Sequence, residues 1–272
     1  MSKNLQILTY PGGKGQMTDW IISQLPKHRV YVEPFCGSAA VLLNKPVVQM
    51  EVLNDVFSEI ATLFMVLRDA PEQLAALIQF TPYSYEEFYA ATTLEPYMTP
   101  LEQARRMLIR SYMGYGSKAT QYHSTGFRRP SLQTWFNAIE QWRDLPGLVF
   151  DVSERLKRCV IESCDAIECM KRWDTPDTLI YADPPYMPST LRHKAGLYKH
   201  MMTPEQHEQM LNFLTTCDSK VIVSGYHSEL YDDYLHTWRI STRTTHTQAN
   251  TQATEVLWFS PSCESNQLSF IT

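Results

Sequence analysis

A chain of 272 residues can bury one sizeable core and still carry a smaller insertion. It is 44% hydrophobic and 19% charged, has no apolar run that could span a bilayer, and begins with Met1 to Gln6 too polar for an export signal, so no membrane partner and a cytoplasmic location are expected. Six cysteines without a Cys-x-x-Cys pair or spaced histidines argue against a metal, and a net charge of −5 argues, taken alone, against nucleic acid.

In chain order, Tyr10 to Lys14 comes first, a glycine turn ending in a lysine. It is not a P-loop, because Leu8 and Gly15 stand where that motif needs Gly and Ser or Thr. A lysine on such a turn can hold a carboxylate. Arg29 to Glu33 then predicts a strand, Pro34 to Ser38 a turn, Ala39 to Leu43 the start of a helix and Val47 to Leu53 a second strand, which together make a βαβ unit of a parallel sheet. From 56 to about 145 the alternation stops: 56–68, 71–80 and 100–113 read as helices, giving an inserted, mainly helical lobe. The rhythm resumes with strand 159–162, helix 166–173, strand 178–182, helix 204–216, strand 220–224 and helix 228–235. Strand candidates 238–245 and 255–259 can pair as a hairpin. Thr203, Pro204 and Gln206 form a capping-box pattern that ends the loop 187–202. The expected fold is α/β, a mostly parallel sheet with a C-terminal antiparallel hairpin, divided into 1–55 with 146–272 and an insertion at 56–145.

Four features carry chemistry. Asp183, Pro184, Pro185 and Tyr186 directly follow an apolar strand, at the end where open α/β sheets build their sites. The exocyclic amino group of a base is a poor nucleophile, its lone pair being delocalised into the ring. A carboxylate and a proline carbonyl can each accept from the NH2, while a tyrosine face holds a base taken out of its stack. Asp55 stands 18 residues beyond Gly37, where an acid can grip ribose hydroxyls; with no full Gly-x-Gly-x-x-Gly present, a nucleoside cofactor fits better than a dinucleotide. Lys14 on its turn is the third feature. The fourth is charge: between Leu101 and Arg143 seven Lys/Arg face two acids, leaving 17 basic and 27 acidic residues elsewhere. Within it Arg110, Tyr112, Tyr115, Lys118, Tyr122, His123, Phe127, Arg128 and Arg129 surround glycines 114, 116 and 126, a loop or hairpin whose cations and rings suit DNA.

With these features in this order the chain resembles the Dam-like class of bacterial and phage DNA adenine N6-methyltransferases. The likeness rests on Tyr-Pro-Gly-Gly-Lys14, Glu-Pro-Phe-Cys-Gly-Ser38, Leu-Asn-Asp55, Asp-Pro-Pro-Tyr186, the Thr203 helix start, Val-Ser-Gly-Tyr226 and Thr-Glu-Val-Leu-Trp258. It implies a class I methyltransferase (Rossmann-like) fold using S-adenosylmethionine. It further implies Tyr10 and Lys14 at the methionine end, Phe35 and Gly37 as a cofactor wall, Asp55 on the ribose, Asp165 accepting from the cofactor's adenine with Ala166 giving backbone contact, and Asp183 serving cofactor and target alike. Loop 187–202, with Arg192, Lys194 and Tyr198, falls where the family has a segment that closes on DNA. The implied partner is double-stranded DNA and the implied working form a monomer or weak dimer. The Arg-Tyr-Asn and Gly-x-Phe-Asn-Val-Pro elements of members reading GATC are missing, so that specificity is not carried over. Cytosine N4 methylation, which needs the same acceptors, and a catalytically silent DNA-binding module of the same fold stay open beside the adenine reading.

Overall fold

The computed structural model describes residues 4–10, 12–93, 95, 97–116, 126–129, 135–190, 201–246 and 252–264. Two compact units are present, both discontinuous in sequence: Met1–Thr18, Gly37–Lys45 and Phe57–Ile161 form one, and Asp19–Cys36, Pro46–Val56 and Glu162–Thr272 the other.

The strands β1 (Val30–Glu33), β2 (Met50–Asn54), β3 (Cys159–Glu162), β4 (Thr178–Ala182), β5 (Lys220–Gly225), β6 (Arg239–His246) and β7 (Gln252–Phe259) make one sheet in the order β3-β2-β1-β4-β5-β7-β6. β1 pairs in parallel with β2 and β4, with Val32 opposite Val52 and Ile180, and β4 pairs in parallel with β5. β7 runs antiparallel between β5 and β6, so the expected hairpin forms, from Arg239 opposite Phe259 to His246 opposite Gln252. Every residue of β4 and β5 is buried, which is why their centres, Leu179 to Ala182 and Val221 to Val223, read as apolar runs rather than alternating ones. β2 starts at Met50, three residues later than the sequence suggests, because ladder pairing begins at Val30 opposite Met50 and Val47 stays half exposed. The strand order turns at β1, between β2 and β4, and it is at the carboxyl ends beside such a reversal that open α/β sheets bind ligands. The short helices α1 (Thr18–Ile22) and α2 (Ala40–Asn44) accompany the first strands.

The first unit holds five helices from 58 onward, of which the first, second and fourth are expected: α3 (Ser58–Asp69), α4 (Pro71–Gln79), α5 (Tyr85–Thr92), α6 (Pro100–Met113) and α7 (Trp135–Leu156). Neither α5 nor α7 is foreseen from the sequence. α7 runs through position 145, carrying Pro146 inside it. It survives because Ala138, Trp142, Leu145, Val149, Val152 and Leu156, spaced alternately four and three residues apart, bury one continuous stripe. The remaining helices, α8 (Ala166–Arg172), α9 (Pro204–Leu214) and α10 (Glu229–Tyr234), belong to the second unit, and α9 begins with both capping-box bonds between Thr203 and Gln206. Among the described residues no helix is long and apolar enough to cross a membrane.

Candidate active site

In the second unit, β4 delivers Asp183 directly at its carboxyl end, beside β1. Asp183 is half-buried and Pro184 and Tyr186 are buried, so the two prolines present a carbonyl without a competing N–H in a stiffened segment. The Tyr186 ring lies on that of Tyr226, with centroids 4.5 Å apart at 33°, and its hydroxyl donates to Glu255 Oε2 at 3.3 Å. Behind Asp183 stands Tyr231. Burial and then the charge of Asp183 push its phenol well above the usual range, and its hydroxyl lies 2.8 Å from His207 Nδ1. Burial pulls the His207 imidazole down to about 4, so Asp183 is backed by neutral groups at neutral pH.

The loops after β1, β2 and β3 are tied by one side chain. Asn54 Nδ2 donates to the Pro34 carbonyl at 3.0 Å and the Cys164 carbonyl at 3.1 Å, and its Oδ1 accepts from the Cys164 N–H at 3.0 Å. Asp55, 9% exposed, follows at once, its own carbonyl accepting from Ser163 Oγ at 3.0 Å. Asp165 is exposed and caps α8: Oδ1 accepts from the N–H groups of Ile167 at 2.9 Å and Glu168 at 3.2 Å. Its second oxygen and the N–H of Ala166 in the first turn stay out of the cap. Asp165, Asp55, half-buried Phe35 and Asp183 thus end four consecutive strands of the sheet. At about 4.8 Å per strand the row spans roughly 14 Å, suited to a nucleoside bearing a side chain.

In the first unit, Tyr10 and Gly13 close a turn through the Gly13 N–H and Tyr10 carbonyl at 3.0 Å, with Gly12 at φ 70. The Tyr10 ring rests on Gly37. That glycine has φ +46, and a Cβ there would stand 2.9 Å from Tyr10 Cδ1, so glycine is required both for its backbone and for its lack of a side chain. Lys14 is buried, its ammonium donating to the Gly12 carbonyl at 3.1 Å. Tyr10 thus lies against Gly37, and Lys14 bonds back to the turn that follows Tyr10.

Burial overturns part of the DNA-contact expectation. Arg110 has no exposed surface, since its guanidinium donates to Glu59 Oε2 at 2.9 Å and the Ala91 carbonyl at 3.0 Å. Tyr112 is largely buried against Trp142, and burial raises its phenol above the ordinary range. Both belong to the interior of the helical unit rather than to a nucleic-acid surface. The expected hairpin closes at its base, with Gly114 bridged to Phe127, the Tyr115 N–H donating to the Gly126 carbonyl at 3.0 Å and that of Arg128 to the Met113 carbonyl at 2.7 Å. Tyr115 and Arg129 are exposed and Arg128 is half-exposed. Lys118, Tyr122, His123, Arg192, Lys194 and Tyr198 lie outside the described residues. Beside the hairpin base, exposed Tyr85 and Tyr89 pair at 4.1 Å and Phe127 meets the edge of Tyr85 at 5.9 Å. These tyrosines escape a sequence reading because α5, about forty residues upstream, is not foreseen. Among the described residues no group of three or more His, Cys, Asp or Glu could hold a metal.

A seven-stranded sheet that is parallel from β2 through β1 and β4 to β5 and ends in an antiparallel pair, with acidic loops at the carboxyl ends, defines an α/β methyltransferase fold. The sequence pattern described as D12 class N6 adenine-specific DNA methyltransferase fits residues 10–249, and the chain belongs to that family. It is an adenine-specific DNA methyltransferase. It is 26% identical over 215 residues to a DNA adenine methylase of Escherichia coli (strain K12), covering 76% of this chain and 74% of that one. It is 25% identical over 247 residues to a DNA adenine methylase of Serratia marcescens, covering 86% and 88%, and 25% identical over 194 residues to one of Salmonella typhi, covering 69% and 67%.

Proposed function

We propose that the chain moves the methyl group of S-adenosylmethionine to N6 of an adenine flipped out of double-stranded DNA, with Asp183, Pro184 and Tyr186 as catalytic residues. The reading rests above all on the Asp183 to Tyr186 segment ending β4 at the turn in strand order. When bound, the cofactor supplies an electrophilic methyl on sulfur. The residues of each unit suit it: in the first, buried Lys14 on the turn that follows Tyr10 suits a carboxylate and Gly37 offers a bare backbone; in the second, Phe35 suits a wall, Asp55 a ribose diol, and the uncapped oxygen of Asp165 with the Ala166 N–H an adenine edge.

Asp183 and the Pro184 carbonyl accept the two N6 hydrogens, turning the lone pair toward the methyl carbon, and Tyr186 holds the base by its face. Asp183, Pro184 and Tyr186 would act by holding that nitrogen in place against a bound methyl donor, and such placement supplies most of the rate in a transfer of this kind; the surplus N6 proton would pass to solvent. Residues 56–145 serve as the recognition insertion, with Tyr115, Arg128 and Arg129 on DNA together with Lys118, Tyr122, His123, Arg192, Lys194 and Tyr198. A DNA substrate puts this work in the cytoplasm.

Asp183→Ala is expected to abolish transfer of labelled methyl to unmethylated plasmid DNA while the duplex is still bound; turnover at the wild-type rate would remove the mechanism. Weighing the nucleosides of digested product should give N6-methyladenine, and N4-methylcytosine in its place would overturn the choice of base.

A further inference from the structure

Two motifs of the sequence, Val-Ser-Gly-Tyr226 and Thr-Glu-Val-Leu-Trp258, have no part in the chemistry so far. They meet on adjacent strands: β5 and β7 pair with Ser224 opposite Leu257 and Gly225 opposite Val256. Glu255, one residue short of that register, carries a carboxylate that is 1% exposed. Its Oε1 accepts from Ser224 Oγ at 2.8 Å and its Oε2 from the Tyr186 hydroxyl at 3.3 Å. Tyr226, just past β5, covers a face of the Tyr186 ring at 4.5 Å.

A buried carboxylate is costly unless hydrogen-bonded, so its retention among β-strand cores calls for a reason beyond packing. We propose that Glu255, itself oriented by Ser224, is a positioning residue that fixes the Tyr186 ring for the target base, with the Tyr226 ring packed against it. The inference rests on the reading of Tyr186 as the base-holding ring. Glu255 touches neither base nor methyl donor in this scheme; it acts by fixing the tilt of a ring whose hydroxyl it anchors.

The test uses the full-length enzyme, labelled S-adenosylmethionine and unmethylated plasmid DNA, with kcat and KM measured separately. Tyr186→Phe keeps the ring and loses the anchor, and a roughly tenfold fall in kcat is expected, the scale of a hydrogen bond to a charged group. KM for S-adenosylmethionine should hold. Glu255→Leu should fall as far, Glu255→Gln should recover most of the loss, and Glu255→Leu with Tyr186→Phe should be no worse than either alone, because both changes break one link. Wild-type kcat in Tyr186→Phe, or losses that multiply in the double variant, would overturn the proposal. If Glu255→Leu does not fold, Tyr186→Phe and Glu255→Gln decide it. Asp183→Ala run alongside separates the two levels: if it is dead while the Tyr186 and Glu255 variants turn over normally, the active site stands and the positioning role falls. If Asp183→Ala turns over normally, the active-site reading falls first.

Discussion

His207 sits in the first turn and a half of α9, and the capping box that fixes where the helix begins also fixes which face turns inward, placing the imidazole against Tyr231 without exposure. Its protonation is therefore coupled to stability. An unfolded histidine takes a proton near pH 6.5, whereas this one, disfavoured by burial, does so only near pH 4. Between those values the unfolded chain binds more protons, so stability is full above pH 6.5 and falls as the pH drops toward 4, at up to about 1.4 kcal/mol per pH unit. Melting curves of wild type and His207→Gln across pH 7 to 4 should show a shallower decline in the variant. Other single residues differ in how readily the sequence discloses them. Asp183 and Tyr186 stand out because four consecutive residues offer a carboxylate, a proline carbonyl and a ring directly after an apolar strand. Asn54 and Glu255 do not, because their partners at Cys164 and Tyr186 lie 110 and 69 residues away and only the strand pairing brings them close.

At the level of elements, α6 lies in the segment that reads as basic, yet its arginines are tied up within the helical unit. Arg105 pairs with Glu102 and Glu87, Arg106 with Glu102 and Glu95, and Arg110 with Glu59 of α3. Arg110→Ala would break the buried pair with Glu59, and a loss of about 3–5 kcal/mol is expected in denaturant unfolding, with unchanged DNA affinity in the fraction that folds. Weaker DNA binding by that fraction would show that the guanidinium reaches DNA after all. The strands and the helices at 58–69, 71–79 and 100–113 are legible from periodicity and start signals such as Pro71 and Pro100. α7 is not, since Pro146 and Gly147 look like a break; its packed stripe outweighs the missing backbone bond, an effect of tertiary packing that local pattern does not carry.

Over the whole molecule, a net charge of −5 makes DNA binding depend on where cations remain available. Of the seven basic residues between 101 and 143, four are engaged by acids, including Glu59, Glu87, Glu95 and Asp144 from outside that stretch. A charge sum over a sequence window cannot anticipate those partners. Among the described residues of the segment, Arg128 and Arg129 are the cations seen without an ion pair, and both border the hairpin base. Replacing either with Ala should lower the slope of log affinity against log salt by about 0.9, measured by anisotropy on a labelled duplex, as expected when one phosphate is no longer neutralised. An unaltered slope would move the DNA footprint elsewhere. The amide of Asn54 bears on how such an enzyme can change over time. Because one side chain laces three loops together, drift in any of them is transmitted to its neighbours, and ligand preference at this edge must shift as a block or not at all.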